Sequence, residues 1–339
     1  MTRGRGTDGA VRLATRPSPM ALAQTEAFAR RFRRTHPDRP LIVVQTVSLG
    51  DRHPGPLAEI GGKGAFTRRA DSLLLAGEVD FTISCAKDLP GAHDRSPGIV
   101  LGAALPREDV RDAVVRPACP TGRTPVPLAE LPAGARVGTS APRRAALLRS
   151  RLPHLVPVPI RGNLDTRLAL LDTGGAGLDA LIVAHAGLAR LGLAGRATEI
   201  WSPEYWPPAA GAGVIVVEHR AGDHAAAALL APFDHAPTRL GLTAERAVLA
   251  GLRGDCATAA SVVTTRLPDG RLRIRAELLD PDGGPGSVAH VHGAPAEAEA
   301  LGRTTARLLL DEEPPARPPA IPHQPVSQPH SPSASLPSP

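Results

Sequence analysis

The sequence predicts an α/β protein with three domains and a disordered tail. Short apolar segments alternate with amphipathic helical segments along most of the chain, the pattern changes near residue 236, and the residues after 312 are rich in proline. Alternation of strands and helices is typical of parallel sheets covered by helices. A chain of 339 residues is long enough for two or three separate cores.

The first two domains are predicted from two series of strands and helices. In the first series, the segments VRLAT (11–15), LIVVQTV (41–47) and DFTISC (80–85) read as strands, and 19–34 and 66–78 read as helices. The second series follows the same pattern. Its predicted strands are 136–140, 155–160, 178–184 and 214–218, and its predicted helices are 142–152 and 163–172.

The third domain begins after the change of pattern. A helix is predicted over 243–252, followed by a hairpin of SVVTTRL (261–267) and RLRIRAEL (271–278) joined by the turn residues PDG. A last helix is predicted over about 295–311. The remaining segment, 313–339, has almost no apolar residue to bury and is predicted to be disordered.

Composition excludes several classes of protein. No apolar run approaches 18 residues and no apolar leader is present, so the chain is expected to be cytoplasmic without a membrane span. Three cysteines outside any C-x-x-C pair argue against a disulfide framework and against structural zinc. The net charge of +6 admits a polyanionic partner, but no basic run or helix-turn-helix pattern indicates nucleic acid. A small substrate with several carboxylates accounts for the charge equally well.

Arginine recurs where predicted strands end and helices begin. Arg16, Arg143, Arg161 and Arg190 all occupy such positions. Helix N-termini favour anions, and the guanidinium group binds carboxylates through two parallel hydrogen bonds. The pattern predicts a cleft for carboxylates or phosphates at the carboxyl edges of the sheets.

Lysine, by contrast, occurs only twice, at Lys63 and Lys87. Lys87 is followed directly by Asp88 in the segment TISCAKDLP (82–90), at the end of a predicted strand. An ammonium group is a compact charge that fits where a planar guanidinium does not. The pair therefore marks a candidate site.

These segments resemble the porphobilinogen deaminase (hydroxymethylbilane synthase) family. The matching stretches include GGKGAFTRRADSLLLAGEVD (61–80), KDLP (87–90), VGTSAPRR (137–144), PIRGNLDTRL (159–168) and AGLARLGL (186–193). TRPSPMALAQ (15–24), REDVRDA (107–113), PAAGAGVIVVEHRA (208–221), LTAERAVL (242–249) and GDC (254–256) complete the set. They occur in the family's order over about residues 11–312.

The resemblance implies two periplasmic-binding-protein-like α/β domains and a small third α/β domain with a three-stranded sheet. The expected limits are 10–106 with 213–233 for the first domain, 107–212 for the second and 236–312 for the third. The implied activity is that of a transferase of tetrapyrrole and heme biosynthesis. It joins four porphobilinogens head to tail, releases ammonia and yields hydroxymethylbilane. A monomer without nucleic acid, membrane or metal partners is expected.

The resemblance also assigns the site. Cys256 would carry a covalent dipyrromethane cofactor through a thioether, and Asp88 would be the catalytic carboxylate facing a cationic pyrrole intermediate. The carboxylates of cofactor and growing chain would be bound by Lys87, Arg143, Arg144, Arg161 and Arg167. The incoming monomer would be bound by Arg16, Ser18, Lys63 and Arg190.

Several positions depart from the family's pattern. Ser84–Cys85 replaces a His–Ser pair, and Ala141 and Ala212 replace a serine and a glutamine. Asp255 puts an anion beside the Cys256 thiol, which disfavours the reactive thiolate. Two alternatives therefore stay open: a divergent relative that binds a pyrrole or polycarboxylate without making bilane, and a plain anion-binding module of the periplasmic-binding-protein type.

Overall fold

The computed structural model describes residues 9–48, 67–118, 126–254 and 258–311. Within these ranges the chain forms three sheets, two of five strands and one of three strands. Helices pack against each of them. The fold class predicted from the sequence is confirmed.

The first sheet has the strand order β2–β1–β3–β10–β4. These strands are β1 Val11–Thr15, β2 Leu41–Gln45, β3 Phe81–Cys85, β4 Ile99–Ala104 and β10 Ile215–Arg220. Its helices are α1 Pro19–Thr35, α2 Arg68–Leu75 and α6 His224–Leu230. Phe28, Phe32, Phe81 and Phe233 fill the core on one side, since their apolar side chains share one buried cluster.

The second sheet has the order β7–β6–β8–β5–β9. These strands are β5 Asp112–Val115, β6 Arg136–Thr139, β7 Val156–Pro159, β8 Ala180–Ala184 and β9 Glu199–Ile200. Its helices are α3 Pro142–Arg151, α4 Leu164–Asp172 and α5 His185–Arg190. Trp201 and Trp206 lie fully buried against each other in the core behind α3.

The third sheet is antiparallel, with β11 Ala260–Arg266, β12 Leu272–Leu278 and β13 Ser287–Gly293 in sequence order. Two helices cover one face, α7 Ala236–Gly251 and α8 Ala298–Asp311. They approach closely at Gly302, where a Cβ atom would lie 2.4 Å from the Ala244 carbonyl oxygen. Only glycine allows the two backbones to pack at this distance.

Two segments cross between the first and second sheets, one after β4 and one before β10. They lie side by side, and the Glu108 N–H donates to the Gly213 carbonyl at 2.8 Å. Gly213 has φ +71°, and a Cβ there would lie 2.5 Å from the Glu108 oxygen. The crossing therefore needs glycine at this position. Arg107, beside it, makes a two-pronged ion pair with the fully buried Glu245 of α7, which ties the third sheet to the crossing.

The two larger sheets differ from the sequence prediction because they are mixed and not wholly parallel. β10 runs antiparallel to β3 and β4, and β5 runs antiparallel to β8 and β9. Four strands were not located in the sequence, namely β4, β5, β9 and β13, although the resemblance implied the three-stranded sheet to which β13 belongs. Each is short or interrupted by glycine or polar residues, so it lacks a clear period of two. Helix α7 begins at Ala236, before the predicted start, with Pro237 in its first turn, where proline is tolerated.

The predicted limits of the three domains stay a prediction, and the predicted disordered tail lies outside the described residues. Over the described ranges, no helix is long and apolar enough to span a bilayer. The same ranges hold no cluster of three or more potential metal ligands.

Candidate active site

A cleft of about 1190 Å³ opens where the three sheets meet. The first sheet supplies Arg16 and Asp88 from strand ends, and the second supplies Arg161 and Arg167. The third contributes residues of α7 and the start of β11. Side chains that are distant in sequence thus face one space at the carboxyl edges of the two larger sheets, which is the usual position of a site in α/β proteins.

Asp88 and Lys87 reach this cleft from one tight turn. β3 ends at Cys85 and a short 3₁₀ helix, Ala86–Asp88, follows directly. The Ala86 N–H donates to the Val214 carbonyl at 2.9 Å. Gly211, with φ +72°, packs so tightly that a Cβ would lie 3.0 Å from Ala86 and from the Lys87 nitrogen. The turn is therefore fixed by the crossing segment, and it presents both half-exposed side chains to the cleft.

Asp88 and Lys87 make no ion pair or side-chain hydrogen bond within the described part of the chain. Both are therefore available to a bound molecule. Asp88 also interacts electrostatically with Arg167, which lines the same cleft.

The opposite wall carries a crowded group of guanidinium groups. Arg167 donates to the Gly162 carbonyl and to Ser140 Oγ, both at 2.8 Å. Burial, followed by the charges of Arg144 and Arg161, lowers the pKa of Arg167 to about 10. Guanidinium groups that repel one another in this way are strongly stabilised by a bound anion. The wall therefore favours the binding of an anion.

Arg143 and Arg144 line the cleft, but each is also held inside the protein by Asp112. Arg144 binds both Asp112 oxygens, at 2.6 and 3.0 Å, and Arg143 binds one at 2.5 Å. Trp206 Nε1 donates to the same carboxylate at 3.1 Å. Burial alone would raise the pKa of Asp112, but the guanidinium groups of Arg144 and Arg143 hold it well below its usual range.

Sequence reasoning missed this internal partner. Asp112 opens an otherwise apolar strand, DAVV, and an acid in that setting was the available signal. The predicted contacts of Arg143 and Arg144 with a cofactor stay a prediction. One carboxylate supports both guanidinium groups and so sets their orientation towards the cleft.

The residues predicted to bind the monomer separate into three cases. Arg16 and Ser18 line the cleft together with Asp88, and Ser18 Oγ also caps α1 by accepting from the Ala21 N–H at 3.3 Å. Arg190 is not among the residues that line it. Its guanidinium group donates to Glu108 at 2.9 Å and to Gln24 and Cys85 at 3.4 Å.

The third case is Lys63, which lies outside the described residues, as does Cys256, the predicted attachment point. Thr258, the first described residue after Cys256, lines the cleft.

Two family models match most of the described chain. The family model "Porphobilinogen deaminase, dipyromethane cofactor binding domain" matches residues 11–228. The model "Porphobilinogen deaminase, C-terminal domain" matches residues 240–311.

Curated relatives agree. The chain is 42% identical to the porphobilinogen deaminase of Ralstonia nicotianae over 88% of each chain. It is 43% identical to that of Sorangium cellulosum over 80% of this chain and 87% of the relative. It is 39% identical to "Porphobilinogen deaminase 2" of Streptomyces coelicolor over 88% of this chain and 93% of the relative. The resemblance found in the motifs is confirmed, and the chain belongs to the porphobilinogen deaminase family.

Proposed function

We propose that this chain condenses four porphobilinogens head to tail, with release of ammonia, to give hydroxymethylbilane. The observation that carries the proposal is the match of both family models, over 11–228 and 240–311, to a chain whose cleft presents Asp88 opposite a wall of arginines. The reaction needs a fixed anion near a cationic intermediate and many cations for the carboxylates of the product. The cleft offers both.

The cofactor that the family carries is dipyrromethane, a pair of linked pyrroles with four carboxylates. The donor set fits it, because Arg161 and Arg167 line one cleft and lie close enough for the charge of Arg161 to lower the pKa of Arg167. We assign the binding of its carboxylates to Lys87, Arg143, Arg144, Arg161 and Arg167, and its thioether to Cys256. When bound, the cofactor supplies the pyrrole carbon to which the first substrate is joined.

Asp88 is the residue to which we assign the chemistry. Loss of ammonia from an aminomethylpyrrole leaves a cation spread over the ring nitrogen and the exocyclic carbon. The Asp88 carboxylate, held by the turn at Ala86, would stabilise that cation and accept the proton of the ring carbon that attacks it. Arg16 and Ser18, which line the same cleft, would bind the acidic side chains of the incoming monomer, together with Lys63 and Arg190.

Further assignments accompany this proposal. The domain limits are 10–106 with 213–233, 107–212 and 236–312, each of the three enclosing the strands of one sheet. The protein is proposed to be a cytoplasmic monomer that acts on a small molecule. Gel filtration with light scattering measures the oligomeric state directly.

Intact-protein mass spectrometry tests the cofactor assignment. Protein produced in a host that makes porphobilinogen should be heavier than its sequence mass by roughly 420 Da, the mass of the linked dipyrrole. Cys256→Ala should have the unmodified mass, and only the wild type should give a pink colour with Ehrlich's reagent. An unmodified wild type would favour the divergent relative that makes no bilane.

The arginine wall is tested by Arg161→Ala. Loss of one charged hydrogen-bonding group at the cleft is expected to lower kcat/KM about 10- to 100-fold, or to stop cofactor loading, because such contacts contribute about 1.5–3 kcal/mol. Circular dichroism should show an unchanged fold, since removing one of several crowded cations relieves repulsion. The matched control is Arg136→Ala, which removes an exposed guanidinium group at the far end of β6. Equal losses in both variants would contradict the assignment.

A further inference from the structure

A small cavity lies behind Asp88, inside the first sheet and its helices. It measures about 30 Å³, which is room for about two water molecules. Asp88 lines both this cavity and the cleft, and the cavity is also lined by Asp71 of α2 and Glu218 of β10. The site of reaction is therefore connected to two buried carboxyl groups by a space that water can fill.

Several polar side chains line the cavity between these groups. Thr82, Ser84 and Cys85 of β3 all border the cavity, and Glu218 is the direct cross-strand neighbour of Thr82. The Ser84 hydroxyl is buried and has no hydrogen-bond partner among the described residues, as expected if it contacts water. Ser84 lies on the strand between Thr82, which neighbours Glu218, and Cys85, where the turn that carries Asp88 begins.

Glu218 is a buried carboxyl group with three charged neighbours. It is 3% exposed and is paired with Arg95, while Asp71 and Arg246 face it from α2 and α7. Burial raises the pKa of Glu218 to about 7, the charge of Asp71 adds to the shift, and Arg95 and Arg246 oppose it. Burial also raises the pKa of Asp71. A group that titrates near neutral pH can both take up and release a proton during turnover.

We propose that Glu218 accepts, through water in this cavity, the proton that each condensation delivers to Asp88. The inference rests on the proposed function. In each round a carbon–carbon bond forms between the methylene carbon of one unit and the ring carbon of the next. The C–H bond of that ring carbon breaks, its electron pair returns to the ring, and the proton passes to the Asp88 carboxylate. Transfer to Glu218 restores the Asp88 carboxylate, and Glu218 then loses the proton to solvent before the next round.

Glu218 does not contact the substrate in this proposal. It acts through Asp88, by returning that group to its carboxylate form. Its role should therefore appear in the pH dependence of kcat, measured on cofactor-loaded protein with porphobilinogen. Wild type should lose activity in acid with a midpoint near 7, where Glu218 becomes protonated. Glu218→Gln should lose this midpoint, with kcat at pH 8 lowered about tenfold, less than the roughly 10²-fold typical of a group that takes the proton directly.

A second variant moves the midpoint in a defined direction. Arg95 lowers the pKa of Glu218, so Arg95→Gln should shift the midpoint to higher pH. A purely structural role would lower the melting temperature of both variants and leave the midpoint in place, which would overturn the proposal. If Glu218→Gln does not fold, the pH midpoint of Arg95→Gln tests the proposal by itself. The control is Glu277→Gln, another buried glutamate in ion pairs, which lies in the third sheet away from the cavity and should keep the wild-type midpoint.

Failure of the proposed function and failure of the proton path give different results. If wild type with an intact cofactor does not consume porphobilinogen, the proposed function is wrong. If wild type is active and neither Glu218→Gln nor Arg95→Gln changes the midpoint, only the proton path is wrong.

Discussion

Asp88→Asn is expected to lower kcat about 10²–10³-fold while the protein keeps its fold and its covalent cofactor. Removal of one preorganised group that stabilises developing charge typically has an effect of this size. The amide retains the shape of the carboxylate but carries no negative charge to place near a cation. Asp88 makes no ion pair with another described residue, so little folding energy is lost with its charge. Steady-state formation of uroporphyrin after acidification measures the rate, and intact mass measures the cofactor.

The control for this substitution is Asp38→Asn, the same chemical change in an exposed turn of the first domain. Its rate should equal that of wild type. If Asp88→Asn kept a rate within about threefold of wild type, the proposed role of the carboxylate would be wrong, because threefold corresponds to only about 0.7 kcal/mol of transition-state stabilisation.

Asp112→Ala is expected to destabilise the protein by about 3–5 kcal/mol, since it leaves two buried guanidinium groups without their shared carboxylate. The melting temperature should fall with it. The substitution also frees Trp206 Nε1 from its acceptor. Chemical denaturation followed by the fluorescence of the buried tryptophans measures the change.

Asp172→Ala provides the matched control. Asp172 also pairs with an arginine, Arg196, at 2.7 Å, but both side chains are 29% exposed. An exposed pair contributes about 0–1 kcal/mol, so the control should lose less than about 1 kcal/mol. Similar losses in the two variants would mean that the Asp112 cluster is no more stabilising than a surface pair.

The Asp112 cluster also predicts a pH dependence. The folded protein holds the pKa of Asp112 below its ordinary value of 3.8. A carboxyl group with a depressed folded-state pKa contributes stability above the unfolded-state pKa and loses it as the pH falls. The difference in unfolding free energy between wild type and Asp112→Ala should therefore be largest at neutral pH and narrow below about pH 4.

Much of the fold could be predicted because its signals are local. VRLAT, LIVVQ and FTISC are apolar and β-branched, and each becomes a strand of the first sheet. The serine before PMALAQ begins α1, as its capping hydrogen bond explains. The motifs around Asp88, Arg161 and Arg167 predicted one cleft, and the structure brings those three residues to it.

Other features depend on pairings that no local pattern contains. Asp112 meets Arg144 across 32 residues, and Arg190 meets Gln24 across 166. Glu218 is on a strand whose apolar run, IVVE, gives no indication that its last residue faces a cavity beside Asp88. The direction of a strand relative to its neighbours cannot be read from local sequence either, since a strand of given composition can pair parallel or antiparallel. Only the return of the chain from the second sheet sets the direction of β10.

That return has a consequence for the newborn polypeptide. The strands of the second sheet span 112–200 without interruption, so all of them emerge from the ribosome consecutively. The first sheet is still incomplete when the second has emerged, because its strand Ile215–Arg220 must insert between Phe81–Cys85 and Ile99–Ala104. Pairing of segments so distant along the chain is slow. We therefore expect the middle of the polypeptide to reach its native form first, and a truncation after residue 212 to leave the amino-terminal portion sensitive to protease.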